Sequence, residues 1–346
     1  MLVAMVLDFW PPRENLRWRV ARRTSWPSLH RVARLLETLV VAAALAVVSS
    51  MAHADELGPR PSTLSYENTL FGRSNPLGVG DEFDLRYRIP LYQSGHPALA
   101  QNFFGIVAPW LLAPSLFRPG IGVEVQPLSL LHLYVGYEPT IYFGDLGSLH
   151  SFPSPSGDYG SGAFEVGGPT ALPGAVYPAV VHELVMAATA QFAVRWFALR
   201  SSWRWQYVNA SLRNGDTVFY DSFYVVPLPR SGWLLHMETD AVYRSRFGLI
   251  AGLHYALTMT SYPASAYPAG EAVVNLNTPI QQLGPVVSYT LFEHSRFAHF
   301  EAPTFFLLVA WYLEDRYRAG QLVNQAIPMI GVGFSFRGSL AEWGRR

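Results

Sequence analysis

The chain has 346 residues, of which 50% are hydrophobic and 14% aromatic, while only 14% are charged. Ordinary globular proteins have about 25% charged residues, and disordered chains are poor in aromatic residues. The composition therefore argues against an ordinary soluble domain and excludes a disordered chain. There is no cysteine, which excludes disulfides, thiolate metal sites and cysteine nucleophiles.

The N-terminus has the layout of a secretory signal. A basic region with seven arginines precedes an apolar run from Leu39 to Val48, and Ala52-His53-Ala54 provides a small-x-small cleavage site. Ten apolar residues are too few for a spanning helix, which needs about 20. We expect residues 1–54 to be a signal peptide, with a start codon that lies downstream of residue 1 because the basic region is unusually long. The remainder carries 18 arginines and 22 acidic residues, so nucleic acid is not an expected partner.

Alternating hydrophobicity then dominates the sequence. Phe83, Leu85, Tyr87 and Ile89 share one face of a predicted strand, while Asp84, Arg86 and Arg88 share the other. Similar segments predict about twelve strands, with a range of 10 to 14, near 63–72, 83–89, 103–112, 120–126, 131–137, 184–199, 201–212, 232–244, 246–260, 280–292, 302–314 and 327–337. Membrane helices are disfavoured because the charge-free stretch 272–292 contains Asn, Gln and Pro. A secreted β-sandwich or propeller would alternate as well.

Connection lengths favour a membrane barrel over a sandwich. Short turns are predicted at Leu199–Ser202, Arg244–Arg246 and Pro127–Leu130, and they alternate with long links near 144–183, 213–231, 261–279 and 315–326. Transmembrane barrels combine short periplasmic turns with long outer loops. Aromatic residues beside the short turns, namely Trp196, Trp203, Trp205 and Tyr243, are typical of an interfacial girdle. We interpret the loop at 144–183 as a surface loop, with inward folding as the alternative.

The last strand carries a further signal. Gly331 is followed by Phe334 and then Phe336, which resembles the closing strand of bacterial outer-membrane β-barrel proteins. The resemblance implies an all-β, transmembrane, antiparallel up-and-down barrel that interacts with outer-membrane lipids and the barrel-assembly machinery. We predict a segment at 55–80 with a candidate first strand, a barrel at 81–337 and a periplasmic tail at 338–346.

Function should depend on the side chains that point into the barrel. With the more apolar face of each strand toward lipid, the predicted lumen-lining residues are Glu124, His132, Glu138, Gln191, Arg195, Arg204, Gln206, His236, Glu238, Asp240 and His254. These residues either line an aqueous path or pair with one another and plug a narrow barrel. A barrel of twelve strands is intermediate in size between barrels of 8 strands, whose interior is filled by side chains, and porins of 16–18 strands, which have open channels.

The expected function is a channel or transporter for small solutes, and a non-conducting structural or surface-interaction barrel is the alternative. Enzyme motifs are weak, and no catalytic, cofactor or metal residue is assigned. Ser148 and His150 have the spacing of an outer-membrane phospholipase pair, but they fall in a loop. His236, Glu238 and Asp240 resemble part of an omptin protease site without its second acidic pair. No cofactor is expected.

Overall fold

The computed structural model describes residues 61–146, 148–156, 176–273, 279–292, 299–315 and 326–344. The predicted signal peptide at 1–54 lies outside these residues. In this part of the chain the helices are a single turn, α1 at Pro97–Ala100, and a 3-10 turn at Ala264–Ala266. No helix among the described residues has the length and apolar character needed to cross a membrane.

Seventeen strands are described, and most of them form one closed sheet. The strands are β1 Ser62–Ser74, β2 Gly78–Ile89, β3 Phe103–Ala113, β4 Leu116–Pro119, β5 Ile121–Leu128, β6 Leu131–Tyr137, β7 Thr140–Tyr142, β8 His150–Phe152, β9 Ala179–Val194, β10 Phe197–Ala210, β11 Val218–Asp221, β12 Val226–Pro229, β13 Ser231–Arg244, β14 Leu249–Ser261, β15 Ile280–Thr290, β16 Glu301–Glu314 and β17 Met329–Trp343.

The barrel has twelve antiparallel strands because β4 and β5 together form one crossing, as do β6 and β7. The last strand pairs with the first along most of its length, from Ser62 opposite Trp343 to Ser74 opposite Ile330. Closure leaves no open sheet edge, which is what a sheet in hydrocarbon requires. The predicted all-β up-and-down barrel of about twelve strands is confirmed.

Alternating side chains give the barrel two different faces. In β10, even-numbered residues such as Arg204 and Gln206 are buried on the inside, whereas odd-numbered residues such as Leu199 and Tyr207 are exposed on the outside. The outer surface carries large apolar residues on every side, including Ile106, Leu253, Phe305 and Val332. A soluble protein rarely exposes so much contiguous apolar surface, so this face is suited to lipid.

The two ends of the barrel differ. Both described termini lie at the end that carries the tight turns after Val194 and Arg244, which we call the termini end. The four long links, near 143–178, 211–230, 262–279 and 315–328, lie at the opposite end, which we call the loop end. The four longest links are therefore at one end of the barrel, but this end also has the short turns at 75–77 and 114–115, and the termini end has a longer link at 90–102.

Three details of the sequence prediction were wrong. The turn predicted at Leu199–Ser202 lies at Arg195–Trp196, so Trp203 and Trp205 lie within β10 rather than beside a turn. The sheet begins at Ser62 rather than residue 81. It ends at Trp343 rather than residue 337, so most of the predicted tail at 338–346 is strand. The hydrophobic pattern of β9 and β10 is nearly continuous through the turn, which explains the first error.

A second, three-stranded sheet is built from two of the long links. β11 pairs with β12 as a hairpin, which we call the inner hairpin (residues 218–229), and β8 pairs with the other edge of β11. Val218, Phe219, Val226 and Leu228 of the hairpin are completely or almost completely buried. They share one buried cluster with inward residues of the barrel wall, so the hairpin is folded into the barrel rather than over its rim.

The inward surface is divided between two kinds of side chain. The ionic wall, on β1, β2, β4–β7, β9 and β10, presents Glu67, Arg73, Glu82, Asp84, Arg86, Arg88, Arg118, Glu124, Glu138, Glu183 and Arg204. The apolar wall, on β14–β17, presents Ala256, Val286, Phe306, Leu308, Ala310, Tyr312 and Met329, together with His254 and several buried serine and threonine residues.

Candidate functional site

The tip of the inner hairpin is fixed by hydrogen bonds around Asp221. One carboxylate oxygen of Asp221 accepts from the backbone N–H groups of Phe223 (2.8 Å) and Tyr224 (2.6 Å), which shapes the turn. The other oxygen accepts from the hydroxyl of Tyr142 on the barrel wall (2.9 Å). Short Asx turns of this kind stabilise tight bends. The same carboxylate thus holds the turn together and attaches it to the barrel.

Two arginines of the ionic wall also hold the tip. The guanidinium of Arg73 donates to the backbone carbonyls of Ser222 (2.5 Å) and Phe223 (2.8 Å). Arg118 lies 3.7 Å from the Asp221 carboxylate, and its guanidinium lies 5.3 Å from the centre of the Phe223 ring. The tip is therefore attached mainly by polar contacts.

The base of the hairpin is covered at the loop end. Thr217 donates to the carbonyl of Ala266 (2.6 Å), and Tyr262 donates to the carbonyl of Pro227 (2.6 Å). Burial of the phenol raises the pKa of Tyr262, since its ionised form would lose hydration. Segment 262–266 is thus joined to the three-stranded sheet, and together they form a cover at the loop end.

Below the hairpin, charges of the ionic wall are paired with one another on the same strand or on nearby strands. Arg204 donates to Glu138 (2.5 Å), and Arg88 and His132 both contact Glu124 (2.8 and 2.9 Å). Three further ion pairs are Arg86 with Glu67, Arg86 with Asp84, and Arg118 with Glu183, and Gln206 donates to Glu183. Buried charges are stable only when they are paired in this way.

A cavity of about 120 Å³ lies between the hairpin tip and the ionic wall. Phe223 and Tyr224 contribute to its lining from the hairpin. The wall contributes three arginines, four acidic residues and several small or aromatic residues: Glu82, Asp84, Arg86, Val107, Pro109, Trp110, Leu111, Arg118, Glu124, His132, Tyr134, Glu138, Ala187, Thr189, Ser202 and Arg204. The barrel side therefore combines charged groups with apolar residues such as Val107 and Leu111, and the hairpin side is aromatic.

Two glycines make room for one of these aromatic rings. Tyr134 lies across Gly122 and Gly136, where an added Cβ would come within 2.4 Å and 2.0 Å of the Tyr134 side chain. Its hydroxyl donates to Glu138 (2.9 Å). Any larger residue at either glycine would displace the ring.

On β13 and β14, two histidine pairs lie beside the cavity wall. His254 and Asp240 are buried and joined by a 2.8 Å contact between imidazole and carboxylate. His236 contacts Glu238 (3.3 Å) and Thr258 (2.9 Å), and its ring lies 5.0 Å from that of Tyr224. Among the described residues, no group of three or more possible metal ligands is present.

Most of the residues predicted to line the lumen lie on the inward face of the barrel. Glu124, His132, Glu138 and Arg204 lie on the inward face and line the cavity. His236, Glu238, Asp240 and His254 lie on the inward face of β13 and β14, and Gln191 and Gln206 are also inward. The prediction for Arg195 was wrong.

Arg195 lies in the tight turn between β9 and β10, with a positive φ of 56° and an exposed side chain. Arg200, which was placed in the predicted turn, occupies the inner wall and is 6% exposed. Sequence analysis also missed the inward Arg73, Arg118 and Glu183. The alternation around Arg118 and Glu183 would have revealed these two, but nothing in the sequence indicated the inner hairpin.

The candidate phospholipase pair does not lie on a lipid-facing strand. Ser148 and His150 are buried in the loop-end cover, where the imidazole of His150 stacks on Phe152 with ring centres 4.4 Å apart. Burial lowers the pKa of His150, which favours its neutral form. The interpretation of 144–183 as a purely surface loop was wrong for residues 150–152, which fold inward, and residues 157–175 lie outside the described part.

Comparison with known proteins gives only distant structural matches. No protein-family model matches the chain, and no curated protein matches it. Among solved structures it is similar to the KdgM porin, with 8% identity, 79% of this chain and 98% of that chain covered and a TM-score of 0.35. It is also similar to the NanC porin (7% identity, 80% and 100% covered, TM-score 0.35) and to Omp33 of Acinetobacter baumannii (9%, 80% and 98%, TM-score 0.33).

These neighbours are outer-membrane β-barrels, and at such low identities the likeness is one of fold alone. The architecture is established by the strand pairing itself, which forms a closed, antiparallel, twelve-stranded barrel.

Proposed function

We propose that the protein is an outer-membrane channel for small solutes and that the inner hairpin is its gate. The observation that carries the proposal is the cavity, lined in part by paired charges, beneath a hairpin that is attached at its tip by hydrogen bonds. A purely structural barrel has no need of a cavity lined by paired charges, because buried ion pairs are often no more stable than apolar packing.

The contacts of the hairpin support a gating role. Its tip is held by Asp221 and by the two guanidinium contacts of Arg73, which are exchangeable for water when the hairpin moves. A hydrogen bond exchanged for water contributes only about 0.5–1.5 kcal/mol net. A gate must have a closed state that is stable but close in free energy to the open state. Movement of the tip alone, with Val218, Phe219 and Leu228 left in their buried cluster, meets this condition.

The junction of the hairpin with the barrel shows where the inner hairpin can be deleted. The backbone N–H of Arg230 donates to the carbonyl of Thr217 (2.7 Å), so the chain enters and leaves the hairpin at neighbouring positions. Residues 218–229 can therefore be replaced by Asn-Gly, which favours a two-residue turn. The shortened protein should keep the closed barrel and lose only the inner hairpin that lies in its lumen.

Conductance in a planar bilayer tests the gate. We expect the intact protein to be mostly closed and the deletion variant to conduct continuously, with Asp221→Ala showing more frequent openings. Asp216→Ala is the matched control, because its carboxylate contacts Ser151 within the cover and not the barrel wall. All variants must first show the faster gel mobility of an unheated, folded barrel.

The non-conducting structural barrel makes the opposite prediction. If the folded deletion variant carries no current, the lumen is closed by more than the hairpin, and the channel proposal fails. The proposal includes export by the leader at 1–54, insertion by the barrel-assembly machinery, and outer-membrane lipids around the apolar outer face. Sequencing of the mature N-terminus, expected at Asp55, tests the export step.

A further inference from the structure

We infer that the cavity beneath the inner hairpin is a binding site for a neutral, polyhydroxylated solute of sugar-like chemistry. The inference rests on the proposed function, because it names the class of solute that the channel accepts. It depends on unused hydrogen-bond donors, on the charge balance of the lining and on the aromatic rings that roof the cavity.

Three arginines that line the cavity each have a buried donor without an acceptor in the described part of the chain. The donors are Nε of Arg86, Nε of Arg204 and Nη2 of Arg118, which lies 3.7 Å from the Asp221 carboxylate, beyond hydrogen-bond distance. Arg118 and Arg204 are more than nine-tenths buried. Buried polar groups are almost always hydrogen-bonded, so three unsatisfied donors around one cavity indicate that oxygen atoms from outside the chain complete the site.

The charges of the lining exclude strong selection for an ion. Three guanidinium groups are opposed by four carboxylates, those of Glu82, Asp84, Glu124 and Glu138. A bound anion would be repelled by the carboxylates, and a bound cation would be repelled by the guanidinium groups. Both repulsions are strong here because burial reduces the screening of charges. A neutral solute avoids both costs.

A hydroxyl group can form hydrogen bonds with both the arginines and the carboxylates of the lining. It accepts a hydrogen bond from an arginine and donates one to a carboxylate. Several hydroxyls on a small carbon frame would use the three donors together, while the C–H groups would pack on Tyr134, Phe223 and Tyr224. The cavity is large enough for such a molecule, since one water needs only about 10–15 Å³ on this measure.

Two arginines of β10 provide a matched pair of variants. Arg204 and Arg200 lie on the same strand and the same face, and they are 8% and 6% exposed, but only Arg204 lines the cavity. Arg204→Gln should weaken binding, whereas Arg200→Gln should not. Arg204→Lys is the second variant, because it keeps a positive charge opposite Glu138 while it removes the unused Nε donor.

The experiment measures binding by saturation-transfer difference NMR on the full-length protein in detergent micelles. The probes are erythritol (a neutral four-carbon polyol), tartrate (an anion of the same carbon frame) and choline (a cation). We expect erythritol to bind best. Affinity should fall about tenfold or more in Arg204→Gln and Arg204→Lys, as expected for loss of a hydrogen bond to a charged group.

Three results would overturn the inference. The first is tighter binding of tartrate or choline, and the second is equal weakening by Arg200→Gln and Arg204→Gln. The third is no binding of erythritol to the folded protein or to Asp221→Ala, in which the hairpin is loosened. Erythritol binding without any conductance would overturn the channel proposal but not the site, so the two failures are distinguishable.

Discussion

The two walls of the lumen fill the interior of the twelve-stranded barrel with different kinds of side chain. The ionic wall pairs charges across strands and leaves a cavity, as in the contact between Arg204 and Glu138. The apolar wall presents residues such as Leu308 and Met329, which pack in one cluster with Phe219 and Val226 of the inner hairpin. One side of the lumen resembles the interior of a channel and the other resembles the core of a soluble protein.

This difference explains why the hairpin has a fixed position. Its apolar residues belong to the packed cluster, while its tip at Asp221 reaches the ionic wall and forms hydrogen bonds there. Apolar packing stabilises the hairpin without directionality, and the polar tip sets its depth. If the walls differ in this way, substitutions in them should have different consequences.

The largest expected effect is the loss of one charge from a buried pair. Arg204→Leu leaves Glu138 buried without its guanidinium partner, which should destabilise the barrel by about 3–5 kcal/mol. The double variant Arg204→Leu with Glu138→Leu should recover most of that loss, because no unpaired charge remains. Urea unfolding in detergent, followed by gel mobility, measures both.

A double variant that is as unstable as the single one would contradict the description of this wall. It would mean that packing, rather than the balance of charge, determines stability there. Arg195→Leu is the control, because this side chain is exposed in a turn and should change little.

On the apolar wall, Leu308→Ala should destabilise the protein by about 2–5 kcal/mol, the range for a buried leucine that leaves a cavity. Leu307 is the matched control, since it is the next residue of β16 and is 42% exposed on the outer face. Leu307→Ala leaves no internal cavity and should cost less. The same unfolding assay compares the two, and equal losses would contradict a packed core behind β16.

The sequence predicted the barrel because its signal is distributed over the whole chain. Alternation such as that of Phe83 to Ile89 repeats in many strands, so errors at single turns did not change the result. The turn at Arg195–Trp196 was missed because the apolar alternation runs through it, and the error moved Arg200 off the wall and placed Arg195 on it. The local alternation of hydrophobic residues identifies a strand, but the positions of the turns determine which residues belong to that strand.

The inner hairpin could not be predicted for a different reason. Val218 to Pro229 is short, and β12 contains two prolines, so the segment reads as part of a long loop. Its position depends on contacts between residues far apart in the chain, such as Arg73 with Phe223. Sequence periodicity contains no information on such contacts, and the cavity exists only because of them.

The smallest expected effect concerns ion selectivity at the edge of the ionic wall. Glu238 and Asp240 lie two residues apart on the inward face of β13, and each contacts a histidine. Two carboxylates this close together should attract cations locally. We expect a weak cation preference in the hairpin deletion variant, reduced when Glu238→Gln is combined with Asp240→Asn. Asparagine retains an oxygen that can accept from His254, so the fold should be preserved.

Reversal potentials across a potassium chloride gradient measure this preference. The shift should be larger at low salt, because the Debye length is about 10 Å at 0.1 M and shorter at higher concentration. Asp81→Asn is the control: Asp81 pairs with Leu70 on the outer face, bonds only to Asn68 in the described contacts, and should not affect the current. If the double variant and the control give the same reversal potential in a conducting barrel, then Glu238 and Asp240 do not face the ion path. The path would then follow the cavity at Arg204 alone, on the far side of Tyr224.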